Sequence, residues 1–326
     1  MSKTAKVVIV FSAIALVCLI GAGIVLGVYF NRSGTQGWSG LRGDATEVYE
    51  SAQLSIEDAQ KLSVECDSAN IEFVKADSAS VTLVGKIWAR DAQEKYLVVE
   101  QNADSIRIVF DIEPQKPFNI YTADITMTIY LPADNMLDLD ISNSSGNLTM
   151  SDMGFGDIAV RNSSGNSEIS NITAAAFDYR LTSGNTKITS SRFDSLDVNC
   201  SSGTVKIYDT VADTKVVCTS GGVLLDGIDG SVDVKATSGN VTVNMASANI
   251  EPITIGITSG NCKLGLYEDS AFDLTAKVTS GNISLDIPVE ISGSQSKNSV
   301  IATRNGGGVP INLKSTSGNI TIATID

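Results

Sequence analysis

The chain has 326 residues and not one histidine. That absence removes the imidazole base of Ser-His and Cys-His nucleophilic sites, and it removes most zinc sites. Charge is sparse, with 18% of residues being Asp, Glu, Lys or Arg. Leu-rich stretches of helical period are scarce. Ser, Thr, Asn, Val and 28 glycines fill the chain instead, a profile of short strands and turns rather than of a helix bundle. The five cysteines are dispersed, so with no histidine to join them they make no metal cluster, and no cofactor is expected. Basic charge is also in deficit. Net charge is −14, and Lys3 and Lys6 are the only charged side chains of the first thirty residues. A surface this acidic repels phosphates, which excludes nucleic acid as a partner.

One long apolar run is present. From Val7 to Phe30 the chain has 24 uncharged, mostly apolar residues, roughly 36 Å if helical. It is longer than the core of a cleaved signal peptide, and no small-x-small site closes it. Residues 7–30 therefore read as a transmembrane signal anchor. Lys3 and Lys6 place residues 1–6 in the cytoplasm and the remainder outside. A lipoprotein signal ending at Cys18 is the rival reading, disfavoured by the bulk of Val17. Gly23 and Gly27 form a G-x-x-x-G pair, a candidate contact between two such helices. Residues 31–56 are polar without a sustained period and read as a linker; the RGD triplet at 42–44 falls in it and is assigned no role.

Beyond the linker a small motif recurs. S/T-S-G-N or a near variant places glycines at Gly146, Gly165, Gly184, Gly203, Gly221, Gly239, Gly260, Gly281 and Gly318. Successive gaps are 19, 19, 19, 18, 18, 21, 21 and 37 residues. A period of 18–21 predicts a parallel β-helix, an all-β solenoid of roughly ten coils, in which no coil buries its core alone. The last gap is about two periods. It holds either a coil without the motif or an inserted loop across 287–315, and "RNGGGVP" at 304–310 favours the loop.

The flanks show what a coil does. Five residues before each glycine stand residues such as Ile141, Val160, Val198 and Val234; four residues after stand Met150, Ile169, Ile207 and Val243. Polar residues alternate between them, as in half-buried strands. Nine residues separate those two inward positions, an odd number, so the chain must turn at Ser-Gly to restore the phase. Glycine supplies the unusual backbone angles of such a corner, and Asn tolerates a left-handed conformation nearby. Stacking the corners aligns Asn147, Asn166, Asn185, Asn240, Asn261, Asn282 and Asn319 in a ladder of amides. That structural role outweighs a repeated binding site.

"LSVECDSANIEF" at 62–73 fits the frame with Ala69 in place of glycine, so the solenoid is expected over 57–326. Strand-like segments within 81–131 read as an antiparallel insertion near its N-terminal end. Unless residues 287–315 fold over it, the C-terminal coil is expected to leave an open strand edge after the chain's last apolar residues. Cys200 and Cys218 should be stacked neighbours in adjacent coils, as small buried hydrophobes or, with poorly suited geometry, as a disulfide. Asp226, Asp229 and Asp233 are the one acid cluster that glycosidic chemistry could use. They fall between strands in turn-like sequence, and no catalytic residue is assigned.

The unit hydrophobic-x-hydrophobic-x-(S/T)-S-G-N-hydrophobic-x-hydrophobic resembles the bacterial putative-adhesin family, also called toastrack domains. The lead-in "ITMTIYLPADNMLDLDISNSSGNLTM" at 125–150 is similar to that family's entry into its first full repeat. The resemblance covers residues 60–326. It implies β-strand repeats and an extracytoplasmic module of cell-envelope stress systems or surface assembly, with no catalytic residues to carry over. Together with the apolar run, it leads to the expectation of a single-pass protein of the bacterial cell membrane serving as an envelope scaffold or stress sensor. Envelope proteins are its expected partners, with self-association through the membrane helix or a solenoid end. A surface adhesin binding glycans or proteins is the alternative, and a polysaccharide-cleaving enzyme a remote one.

Overall fold

A computed structural model describes residues 45–88, 93–111 and 122–325. Alternation builds its strands. Val232, Val234 and Ala236 are buried while Lys235 between them is exposed, and after the corner Val241 and Val243 are buried again. Parallel pairing then lays each strand on its counterpart one coil away. Val160 lies opposite both Ile141 and Tyr179, and Val243 opposite both Leu225 and Leu264. A buried aliphatic side chain contributes roughly 1.5–3 kcal/mol, but only when neighbouring coils cover it. The core is therefore continuous along the axis and belongs to the stack.

A short third side closes several coils. Phe155, Ala174, Phe193 and Ala212 alternate large and small along it, all buried. Phe155 meets Phe73 edge-on at 6.0 Å, and Phe193 meets Phe177 at 5.3 Å. The alternation lets each ring extend over the alanine of the next coil, so successive layers interlock.

Coil order departs from chain order at both ends. At the N-terminal end, Lys61–Cys66 and Asn70–Lys75 form the second coil, between Asp138–Ser145 with Leu148–Gly154 on one side and Ser105–Phe110 with Thr122–Leu131 on the other. Antiparallel strands finish that end: Leu97–Gln101 on Ser105–Phe110, Ser80–Trp88 on Thr122–Leu131, and Ala45–Gln53 on Ser80–Trp88. The carboxylate of Glu50 accepts the backbone N–H groups of Tyr96 and Leu97, both at 2.9 Å, and ties the two caps together.

The C-terminal end repeats the device. Pro310–Ser317 and Ile320–Thr324 form a coil that sits between the coil of Ile253–Ser259 with Cys262–Leu266 and the coil of Phe272–Ser280 with Ile283–Asp286. The final strands of the chain are internal. Residues 287–315 supply a hairpin, Glu290–Ser296 with Ser299–Arg304, that pairs antiparallel with Phe272–Ser280 and caps that side. Among the described residues, Ile283–Asp286 pairs on one side only.

Three expectations need correction. The chain's last strand is not an edge: Ile320–Thr324 is paired on both sides and Ile283–Asp286 on one, because the last coil inserts one place earlier in the stack. The linker expected over 31–56 includes a strand, Ala45–Gln53, whose one buried valine, Val48, gives too faint an alternation to be read from sequence. The membrane topology is the third. Among the described residues there is no helix of any kind, and none is long and apolar enough to cross a membrane. The segment 7–30, with Gly23, Gly27 and the cytoplasmic stretch 1–6, lies outside the described residues, as does the RGD triplet. The preceding transmembrane helix, the signal-anchor location in the bacterial cell membrane, and association through that helix are accordingly withdrawn. Among the described residues, strands alone build and cap the fold.

Candidate binding surface

The repeated corner comes first, because it sets the spacing of everything on the surface. All nine corner glycines adopt φ between 130° and 142°, a region that side chains rarely enter. They also lie backbone on backbone: a Cβ on Gly239 would fall on the carbonyl oxygen of Gly221, and one on Gly318 on that of Gly260. Beside them the Asn side chains are linked along the axis. Asn147 Oδ1 accepts the backbone N–H of Asn166 at 3.0 Å, and Asn166 Oδ1 accepts both the backbone N–H and Nδ2 of Asn185, at 3.2 and 3.0 Å. After Thr204 and Gly222 interrupt it, the ladder resumes over Asn240, Asn261, Asn319 and Asn282 in that spatial order, the N–H of each of the last three bonded at 3.0 Å to the preceding Oδ1. None of these Asn residues has positive φ; their contribution is the side-chain acceptor.

A second corner escaped sequence reading. Asp152, Asn171, Ser190 and Asp209 take left-handed angles, with φ of 58°, 54°, 50° and 46°, and Gly227 follows with 74°. Each stands six residues after a corner glycine. The signal was a column of Asp, Asn, Ser and Gly, the residues that best tolerate this conformation, but without one repeated letter it did not stand out.

On the outer face before the corner, three columns run along the axis. The position six before the glycine is often acidic: Asp140, Asp178, Asp197 and Asp233. Four before it stand Arg161, Arg180, Lys235, Lys314 and Lys277 among others, and two before it a run of Ser and Thr. Over the N-terminal half the acids satisfy the bases. Arg161 pairs with Asp140 at 2.9 Å, Arg180 with Asp178 at 3.0 Å, and Lys215 with Asp197 at 2.8 Å. Lys235 is held more loosely by Asp233, at 3.4 Å. Beyond that rung the acidic column ends, replaced by Thr254, Asn312 and Thr275. Among the described residues no carboxylate pairs with Lys314 or Lys277.

A groove of about 610 Å³ opens at this place. Lys235, Gly256, Lys314 and Lys277 occupy consecutive rungs across it, in that order. Gly256 leaves a gap, since a Cβ there would meet nothing within 4 Å. Thr237, Thr258, Thr316 and Thr279 line one side, and Asn298 and Ser299 of the capping hairpin form the end wall. Asn298 is fixed by a bond from Nδ2 to the carbonyl of Thr279 at 3.2 Å. Sequence order hides the cluster, because Lys314 reaches its rung only through the displaced last coil.

The other candidates resolve into structural contacts. Asp226 accepts from Asn244 Nδ2 at 2.9 Å, Asp233 faces Lys235, and Asp229 lies exposed at the end of the strand Val223–Asp229. They do not converge on a cleft, and among the described residues no group of three or more acids and cysteines could hold a metal. Cys66, Cys200, Cys218 and Cys262 are free and buried. Burial pushes the thiols of Cys66 and Cys262 up to about 12. Cys200 is pushed up as well, first by its hydrogen bond with the neighbouring Cys218 and then by burial. These sulfurs are core atoms.

The sequence pattern of the family described as Toastrack DUF4097 matches residues 59–323. The chain belongs to the toastrack family. Stacked S-G-N corners and all-strand coils thus describe a member of that family, consistent with the resemblance read from the motif. No curated protein matches the chain. Among solved structures, this toastrack chain is similar to a "putative lipid binding protein" from Parabacteroides distasonis, at 13% identity over 85% of this chain and 97% of that one, with a TM-score of 0.47. It is similar to a "putative adhesin" from Parabacteroides merdae at 11% identity, covering 86% and 97%, with a TM-score of 0.48. A "putative adhesin" from Bacteroides fragilis is 14% identical over 86% and 97%, with a TM-score of 0.41.

Proposed function

We propose that this toastrack protein is an adhesin-type binding module that grips a glycan or protein along its outer face. The membrane-anchored envelope scaffold or stress sensor expected from sequence is set aside, since that reading rested on a helix that no described residue supplies. One observation carries the adhesin reading: the outer face presents exposed Ser, Thr, Asn and basic side chains in straight columns about 4.8 Å apart from rung to rung. Such a surface offers many equivalent weak contacts and no enclosed chamber, which suits an extended ligand held by multiple points. Of the acid trio, Asp226 accepts from Asn244 and Asp233 pairs with Lys235, and the three do not converge on a cleft.

The test is to display the full chain against arrays of immobilised glycans, neutral and charged, and of purified surface proteins. Saturable binding to any of them, abolished on unfolding, is the expected result. Uniform failure to bind glycans and proteins alike would overturn the reading.

A further inference from the structure

We infer that the groove crossed by Lys235, Lys314 and Lys277 is a binding site for a linear acidic polysaccharide carrying one carboxylate per sugar, a uronic-acid polymer. The inference rests on the adhesin reading and names its ligand class.

Charge gives the first argument. The chain carries 37 acidic against 23 basic residues, yet none of the residues lining this groove is Asp or Glu. A second groove on the same face, of about 320 Å³, shows the contrast. Its cations, Arg161 and Arg180, are both held by carboxylates of this chain, Asp140 and Asp178. At the lysine groove the acidic column has given way to Thr254, Asn312 and Thr275, so Lys314 and Lys277 keep their charge available. Only Lys235 is shared, with Asp233 at 3.4 Å.

Shape gives the second. The three ammonium-bearing rungs are spaced about 5 and about 10 Å apart by the strand repeat, with the Gly256 gap between Lys235 and Lys314. Fixed cations in a line match charges distributed along a chain better than they match one compact anion. The threonine column alongside supplies hydroxyls that donate to and accept from sugar hydroxyls. Ser315 also lines the groove; its side chain is buried, and its Oγ has no partner among the described residues.

Chemistry narrows the class. Lysine acts as a hydrated point charge, while arginine, the bidentate binder of phosphate, does not line this groove. It also holds no aromatic ring on which a nucleobase could stack. A protein of net charge −14 repels densely charged polymers over longer range, which favours a polymer with one carboxylate per sugar over sulfated chains.

The experiment measures binding of the full chain to immobilised polygalacturonate, with dextran, heparin and single-stranded DNA as comparisons. Polygalacturonate is expected to bind best, and binding should weaken as salt rises. The double variant Lys277→Gln/Lys314→Gln should lose about tenfold in affinity, while Lys206→Gln/Lys263→Gln on the other outer face should keep it. Gly256→Leu fills the gap without touching charge and should weaken binding as well; urea melts establish that each variant is folded. Absence of polygalacturonate binding, equal binding to heparin or DNA, or indifference to both groove variants would overturn the inference. Binding to neutral glycans or to proteins alone would overturn it while leaving the adhesin reading standing.

Discussion

The backbone N–H of Asn319 donates to the side-chain oxygen of Asn261 at 3.0 Å, across 58 residues of chain. Its own side-chain oxygen then accepts the N–H of Asn282 at the same distance. One residue near the C-terminus thus bridges two corners that are consecutive in sequence, Gly260 and Gly281. The last coil is wedged between its predecessors, and the groove lysines are neighbours because of it.

The wedge makes a prediction about exchange. Amides of Ile320–Thr324 lie between two parallel partners and should be as protected from hydrogen exchange as those of Cys262–Leu266. Amides of Ile283–Asp286, at the open edge, should exchange faster. Native-state exchange with mass-spectrometric readout distinguishes these segments.

Corner glycines should be far less replaceable than other glycines. Gly239→Ala places a methyl group on the carbonyl oxygen of Gly221 and imposes a φ of 131° on alanine. The expected loss is at least about 3 kcal/mol in urea unfolding. Gly256→Ala, with nothing within 4 Å of the new Cβ, should stay within about 1 kcal/mol of the parent.

How much of this was legible in the sequence follows from what repeats. Gly146 through Gly318 share one letter in one column, so the period, the strands and the corner were readable. The displaced coil was not, because parallel pairing depends on which edge is free when a segment arrives, and Pro310–Ser317 carries the same alternation as any other coil. The groove shared that fate: Lys277 and Lys314 are 37 residues apart in sequence and adjacent in register. The second corner, at Asp152, Asn171, Ser190 and Asp209, was hidden because several residue types tolerate its geometry. Val48 alone marked the first strand. The run 7–30 read strongly by hydropathy, and it lies outside the described residues.

Buried thiols give a pH dependence. Cys66 and Cys262 are pushed by burial from an ordinary 9.0 up to about 12. The folded state therefore retains protons that the unfolded chain releases, and stability is fully present below about pH 9 and falls as pH rises toward 12. Urea midpoints measured from pH 8 upward should decline across that window. The decline should shrink in the Cys66→Ala/Cys262→Ala variant. At pH 8 the four buried cysteines should resist alkylation until the protein unfolds.

Spin labels on the exposed threonine column test the coil order directly. Thr258 and Thr316 lie on adjacent rungs, as do Thr316 and Thr279, while Thr258 and Thr279 are separated by the inserted coil. Labels at 258 and 316, or at 316 and 279, should show strong dipolar broadening at about 5 Å between backbones, and the pair 258 and 279 weaker broadening at about 10 Å. Strongest coupling between 258 and 279, with 316 remote from either, would place the last coil at the end of the stack and separate Lys314 from its place in the groove.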